Sequence, residues 1–225
     1  MDRRRPTVNA DCPFGTLPFL GTALAVLCWL NAAWTVSDRF LSRILSAGDE
    51  EIILRYLESA AIFSCVFFPG GALFLYLLSI RVTDTMADKG GFLLCAASAL
   101  CAILSTALSF VLPNVLLLTA VLMPLSTIFL LVAFLIFASN RENSRDTRLF
   151  GTIAVPFLVL RVFAYLFAYY TAWTLQQGGS SALLLSISSY AVLFVNIISY
   201  TFVGTTFLFM RTPVPAPNYP LKLKY

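Results

Sequence analysis

The residue with the clearest chemical potential is Arg161, which lies 11 residues into an apolar stretch that begins at Phe150. An arginine keeps its positive charge at physiological pH, and placing it at the centre of a membrane-spanning helix costs at least about 2.5–3.5 kcal/mol. Such a charge faces the interior of a helix bundle or a wet cavity instead of lipid. Two interpretations follow: Arg161 contacts an anion or lines an ion pathway, or polar neighbours hold it in a structural role.

The candidate partners of Arg161 are few. No acidic residue lies at a comparable depth in any other apolar stretch, and the nearest candidate counter-charge is Glu58, close to the start of the second stretch. Asn196 and Ser199 in the last stretch provide an alternative, because neutral polar side chains also solvate a buried cation. We therefore predict an intramembrane polar site formed by Arg161, Asn196, Ser199 and Glu58.

Other catalytic or metal-binding patterns are missing from the sequence. The chain contains no histidine, which removes the commonest metal ligand and the usual acid–base group near neutral pH. Its five cysteines form no CxxC pair, and there is no P-loop or GxSxG motif. The cysteines are Cys12, Cys28, Cys65, Cys95 and Cys101. The sequence thus predicts no enzyme activity, no cofactor and no metal site.

The elements that must position Arg161 follow from composition. The 225 residues are 59% hydrophobic and 12% charged, whereas an average soluble domain has about 25% charged residues. Six stretches reach the length of about 20 apolar residues that a membrane-spanning helix needs. They cover 14–36, 57–80, 90–112, 114–138, 150–175 and 181–210. We predict an all-α, polytopic bundle of six transmembrane helices over 14–210, between a basic arm (1–13) and a proline-rich tail (211–225).

The orientation follows from the distribution of lysine and arginine. With the N-terminus inside, the inner segments carry 11 basic residues and the outer segments carry 3. The positive-inside rule therefore predicts that both termini lie on the cytoplasmic side. The apolar pattern within Ser37–Ser46 predicts a short helix lying at the interface in the first outer loop. The spread of charge argues against nucleic-acid binding. We expect the protein in an endomembrane or the plasma membrane of a eukaryotic cell.

Two further patterns concern helix geometry. The sequence Pro69-Gly70-Gly71 at the centre of the second stretch predicts a kink or break, since proline removes a backbone donor and glycine adds freedom. The third stretch carries small residues at four-residue spacing, which lets helices approach closely. That predicted packing face comprises Ala97, Cys101, Ala102, Ser105 and Ser109. Tyr165 and the aromatic residues after it are typical of the interfacial aromatic belt.

The chain resembles two known families, one over a short segment and the other in its overall plan. The segment Leu160-Arg161-Val162-Phe163-Ala164 resembles the arginine segment of the proton-channel a subunit of ATP synthases. That resemblance implies that Arg161 faces a rotor ring, although Ser199 stands near the place of the expected amide. The six-span plan, with a longer first outer loop, is similar to the DRAM/FRAG/SFK family, but Tyr190-Ala191 stands where an acidic-Trp pair is usual.

The function predicted from these features is that of a non-enzymatic scaffold, regulatory or accessory subunit of a membrane assembly. The expected partners are the lipid bilayer and either other membrane subunits or a second copy contacting through the third helix. The alternative is a small transporter or channel subunit with its polar site around Arg161. A cavity that reaches Arg161 from one face favours the alternative, and a dry bundle favours the scaffold.

Overall fold

The chain folds into helices throughout the part that this computed structural model describes, which is residues 16–45, 56, 60, 63–111, 116–178 and 182–210. The elements are α1 (Leu17–Leu45), a π-helical segment (Phe63–Phe67), α2 (Phe68–Val82), α3 (Met86–Val111), α4 (Leu116–Ser139), α5 (Arg145–Gln176) and α6 (Ala182–Leu208). Within these ranges there is no strand. The predicted arm (1–13) and tail (211–225) lie outside the described residues.

The membrane-spanning character of the bundle rests on five of these helices. α1, α3, α4, α5 and α6 are each long and apolar enough to cross a membrane. This confirms the prediction of an all-α, multi-pass integral membrane protein. α2 is shorter, with 15 residues, and the five-residue π-helical segment runs directly into it.

The first outer segment differs from its prediction. α1 continues without interruption to Leu45, so the separate interfacial helix predicted for Ser37–Ser46 does not form over the described residues. Neither glycine nor proline occurs between Thr22 and Leu45, and a change from apolar to polar side chains does not by itself end a helix. The segment is therefore the end of α1, on which Phe40 and Ile44 are strongly exposed.

The Pro69-Gly70-Gly71 sequence lies in the first turn of α2, immediately after the π-helical segment. The backbone of Phe67 stays helical, with φ −69° and ψ −58°. A proline preceded by helical residues removes one backbone hydrogen bond, and prolines and π-type turns are both usual places for a helix to bend. The chain stays helical through Pro69 and does not break there, and the change from π to α geometry ahead of it leaves the predicted kink as a prediction.

The six helices form a closed ring, in which each helix packs against its neighbours in the chain and α6 packs against α1. The ring closes tightly at Gly204, where an added Cβ would lie 2.8 Å from Nε1 of Trp29. The seam between α1 and α2 has the fewest contacts of any neighbouring pair among the described residues. The two ends of the ring are named as follows. The basic end holds the start of α1, the α2–α3 and α4–α5 connections and the end of α6. The other end is called the opposite end.

The half of the ring near the basic end has an aromatic core. Ring centroids within this core lie 5.2 to 6.5 Å apart. The core consists of Tyr76, Phe92, Phe134, Phe137 and Phe207, all of which are buried. Offset and edge-to-face aromatic contacts at these distances are favourable beyond the burial of area. They fill the centre of the ring in this half.

A polar network closes the basic end. The buried carboxylate of Asp88 accepts hydrogen bonds from the side-chain amides of Asn140 (3.1 Å) and Asn143 (3.0 Å). It also accepts one from the hydroxyl of Thr85 (2.7 Å), which caps α3. Because the asparagines belong to the α4–α5 connection, Asp88 joins two connections that are remote in sequence.

Candidate functional site

A cavity of about 300 Å³ occupies the centre of the ring in the half near the opposite end. Residues from all six helices and from the π-helical segment line it. Phe68 and Tyr76 form part of its walls, and its rim at the opposite end includes the half-buried Asp38 and the exposed Ser64. Its volume lies at the lower end of the range of about 300–1,000 Å³ that ligand pockets occupy.

Arg161 reaches this cavity from the middle of α5 and is 6% exposed. Its Nη2 donates hydrogen bonds to the hydroxyl oxygens of Tyr200 (2.8 Å) and Tyr165 (3.3 Å). The guanidinium carbon also lies 4.5 Å from the ring centroid of Tyr200 and 5.5 Å from that of Tyr165. Cation–π contacts stabilise a desolvated cation by about 2 kcal/mol or more.

Asn196 belongs to the same site, although it acts through a tyrosine. The hydroxyl of Tyr165 accepts from Arg161 and donates to Oδ1 of Asn196, at 3.2 Å. Ser199 is buried but donates to the backbone carbonyl of Phe157 (3.2 Å). The structure thus brings Arg161 and Asn196 together, places Ser199 in a helix–helix contact between α5 and α6, and does not describe Glu58.

The guanidinium of Arg161 keeps donors that no described residue satisfies. Its Nε and Nη1 are buried and have no hydrogen-bond partner in the described part of the chain. A buried donor left without an acceptor costs about 1–3 kcal/mol, and more when it is charged. Both of its hydrogen-bond partners are neutral phenols, so the positive charge is solvated there but not neutralised. The arrangement is suited to receive an anion.

Several polar side chains of the cavity wall are occupied by other partners. The hydroxyl of Thr35 donates to the carbonyl of Asn31 (2.7 Å), and that of Thr127 donates to the carbonyl of Met123 (3.1 Å). Ser126 donates to the carbonyl of Ser98 on α3 (2.9 Å). These hydroxyls donate to backbone carbonyls, and none of them neutralises Arg161.

The rim of the cavity is fixed by two side-chain contacts. Nε1 of Trp34 donates to the hydroxyl of Ser64 (3.3 Å), which joins α1 to the π-helical segment. The hydroxyl of Tyr56 donates to the carboxylate of Asp38. Burial, followed by the hydrogen bond and charge of Asp38, raises the pKa of Tyr56 to about 12. Tyr56 therefore keeps its proton at physiological pH and remains a donor to Asp38.

The predicted helix-break and packing residues lie in different environments. Pro69 lines the cavity, Gly71 faces Leu27 of α1, and an added Cβ at Gly70 would meet nothing within 4 Å. In the predicted packing face of α3, Ala102 also lines the cavity. Ser105 is buried, Ala97 and Cys101 are half-buried, and the side chain of Ser109 is not described.

Tyr165 and Tyr200 are the site residues that sequence reasoning missed. Tyr165 was assigned to the aromatic belt, yet it lies four residues after Arg161 and therefore on the same helix face. Tyr200 stands at the same spacing after Asn196 on α6. The signal available in the sequence was this pair of four-residue spacings, because each places a phenol beside a residue already predicted to lie in the site.

Among the described residues no group of three or more metal-ligating side chains occurs. Comparison with protein families, with curated proteins and with solved structures finds no match to this chain. The resemblances to the ATP synthase a subunit and to the DRAM/FRAG/SFK family gain no support from these comparisons.

Proposed function

We propose that the protein is a six-span, non-enzymatic integral membrane protein that binds an anionic group at Arg161. The observation that carries this proposal is the buried guanidinium in a cavity, with two N–H-bearing atoms that have no acceptor among the described residues. A bound anion would accept a hydrogen bond from the guanidinium and neutralise its charge. In the low dielectric of a bundle, such charge-assisted hydrogen bonds are strong.

The proposed topology places the basic end, and with it both termini, on the cytoplasmic side. The π-helical segment and α2 together reach the length of about 20 residues that a span requires. The ring supports six spans, because α1 begins and α6 ends at the same end of the bundle. A chain that returns to the side on which it began has crossed an even number of times. A tag at each terminus, probed by antibody before and after selective permeabilisation, tests this topology: both tags should need permeabilisation, and tags on opposite sides contradict it.

The shape of the cavity favours a carrier over an open channel. The wall of the cavity continues from Arg161 toward Asp38 and Ser64 at the opposite end. In the other direction the buried rings of Phe92, Phe134 and Phe207 fill the ring. A one-sided site at mid-membrane is the arrangement of an alternating-access carrier in one of its states.

A regulatory or accessory subunit is the second candidate. The same aromatic core that closes the basic half supports it, because interlocked rings oppose the opening that transport needs. In that case anion binding would adjust a contact with another membrane protein, without movement of the anion across the membrane.

The experiment uses purified protein reconstituted in liposomes, with radiolabelled propionate, benzoate and phosphate as probes. Wild type should bind at least one of these anions, and Arg161→Leu should lose the binding. Arg141→Leu is the matched control, since Arg141 is exposed in the α4–α5 connection. This variant should bind the anions as wild type does. Uptake with binding supports the carrier, whereas binding without uptake supports the regulatory subunit. If wild type binds none of the anions, the proposal fails.

A further inference from the structure

A second concavity lies on the outside of the bundle, between α1 and α2. This groove has a volume of about 430 Å³ and apolar walls. Val26, Leu30 and Phe74 contribute to it and are all strongly exposed. The one hydroxyl among its described lining residues, that of Thr22, donates to the carbonyl of Pro18 (2.9 Å) and is satisfied there. The groove therefore presents an apolar surface that suits hydrocarbon, and its one described hydroxyl is already hydrogen-bonded.

The groove and the central cavity share a wall. Leu27 lines both of them. Gly71, which lines the groove, faces Leu27 with no side chain of its own, and a Cβ there would lie 3.5 Å from Leu27 Cδ2. Pro69 and Ala72 line the cavity on the same turn of α2. The seam between α1 and α2 is also the most lightly packed in the described ring.

The two spaces complement each other chemically. The cavity holds a cation whose Nε and Nη1 lack acceptors among the described residues, and the groove is apolar over the length of α1 from Phe19 to Leu30. At 1.5 Å per residue this stretch is about 16 Å long, which suits an extended hydrocarbon chain. A ligand that satisfies both spaces has an anionic head and a single apolar tail.

We propose that the ligand is a long-chain fatty carboxylate, with its carboxylate on Arg161 and its chain passing Leu27 into the groove between α1 and α2. This inference rests on the proposed anion site and adds the identity of the ligand class. A carboxylate carries the negative charge that Arg161 lacks nearby, and one of its oxygens can accept from a guanidinium nitrogen that has no partner among the described residues. A single chain is slender enough to run beside Leu27, which lines both spaces.

The test is photolabelling of the protein in nanodiscs with a palmitate analogue that carries a diazirine and an alkyne. Gly71→Leu adds a side chain to the groove wall beside Leu27, and Val26→Trp fills the groove from α1. Gly70→Leu is the matched control, because it makes the same change one position away, where nothing lies within 4 Å. Labelling of both groove variants should fall on the order of tenfold, since an added side chain excludes the tail. Gly70→Leu should label like wild type.

Binding of radiolabelled propionate separates this inference from the proposed function. The groove variants should keep propionate binding, because the short acid needs only Arg161, whereas Arg161→Leu should lose both probes. If Gly71→Leu and Val26→Trp label as strongly as Gly70→Leu, the fatty-acid inference is overturned while propionate binding still supports the anion site. If wild type binds neither propionate nor palmitate, both proposals fail together.

Discussion

The two halves of the bundle differ in what they bury at the centre of the ring. Near the basic end, five aromatic rings fill the space, and the polar network of Asp88 closes it. Toward the opposite end, the same six helices surround a cavity with a charged guanidinium and a wall of hydroxyl-bearing side chains. The lengths of the loops do not explain this difference in what is buried, because the same helices run without interruption through both halves.

The comparison shows which half of the bundle contributes more to the stability of the fold. Membrane helices gain little from moving apolar side chains out of lipid, so close packing and hydrogen bonds hold them together. The basic half uses both of these forces. The opposite half leaves space and retains a buried cation, which opposes stability and is the usual mark of a functional position within a membrane.

The largest expected effect comes from removing a ring of the aromatic core. Phe207 is fully buried, and its ring centroid lies 5.5 Å from that of Phe134 and 5.7 Å from that of Tyr76. Phe207→Ala should lower the free energy of unfolding by about 3 kcal/mol or more, because it leaves a cavity that rigid neighbours cannot close. The matched control Phe194→Ala removes a ring from the same helix at a position that is 65% exposed, and it should change little. Equilibrium unfolding in detergent provides the measurement, and equal losses would remove the distinction between the halves.

The next effect concerns the network at the basic end. Asp88→Ala removes the acceptor that Asn140, Asn143 and Thr85 share. Hydrogen bonds to a charged group contribute about 1.5–3 kcal/mol each, and neighbouring water partly replaces those that are lost, so we expect a net loss of about 2–3 kcal/mol. Asp84→Ala, in the same connection at an exposed position, is the control and should stay close to wild type. A thermal shift of similar size in both variants would contradict the role assigned to Asp88.

The five long apolar helices could be predicted from the sequence, because length and hydropathy decide which segments are able to cross a membrane. Helix ends were harder. α5 begins at Arg145, ahead of the predicted span 150–175, since Ser144 accepts a hydrogen bond from the backbone N–H of Thr147 and caps a polar first turn. At the other end, Gly178 takes a positive φ of 76° after the last turn of α5. Such caps are local and can be found in sequence only when polar residues are considered beside the apolar pattern.

The candidate site was predictable only in part. Arg161 is conspicuous because a charge interrupts an apolar run, and Asn196 follows from the same logic. The identity of the direct partners was not accessible, since Tyr165 and Tyr200 are ordinary residues for membrane helices. Which of them contacts the guanidinium depends on how α5 rotates against α6. The carboxylate of Asp88 illustrates the same limit, because its asparagine partners are more than fifty residues away in the chain.

A smaller effect tests the close approach of α1 and α6 in the basic half. A Cβ at Gly21 would lie 2.4 Å from the backbone carbonyl oxygen of Phe207, so the helices must separate to accept it. Gly21→Ala should therefore cost about 1–2 kcal/mol of stability, measured as a lowered midpoint of thermal unfolding. Gly70→Ala makes the same change in open space and should cause no loss. If both glycines tolerate alanine, the basic half is less tightly packed than the ring contacts indicate.

The smallest expected effect on stability comes from the most conspicuous residue. Arg161→Leu removes two cation–π contacts and two hydrogen bonds to tyrosine, but it also removes a desolvated charge with two atoms that lack acceptors. Replacing a buried ionic group by an apolar one of suitable size is often neutral or stabilising, so the free energy of unfolding should stay within about 1 kcal/mol of wild type. The same variant should lose anion binding, and unfolding with and without the anion measures both properties on one sample. A loss of stability as large as that of Phe207→Ala would assign Arg161 a structural role instead, because a residue held for ligand binding adds little to the packing of the empty bundle.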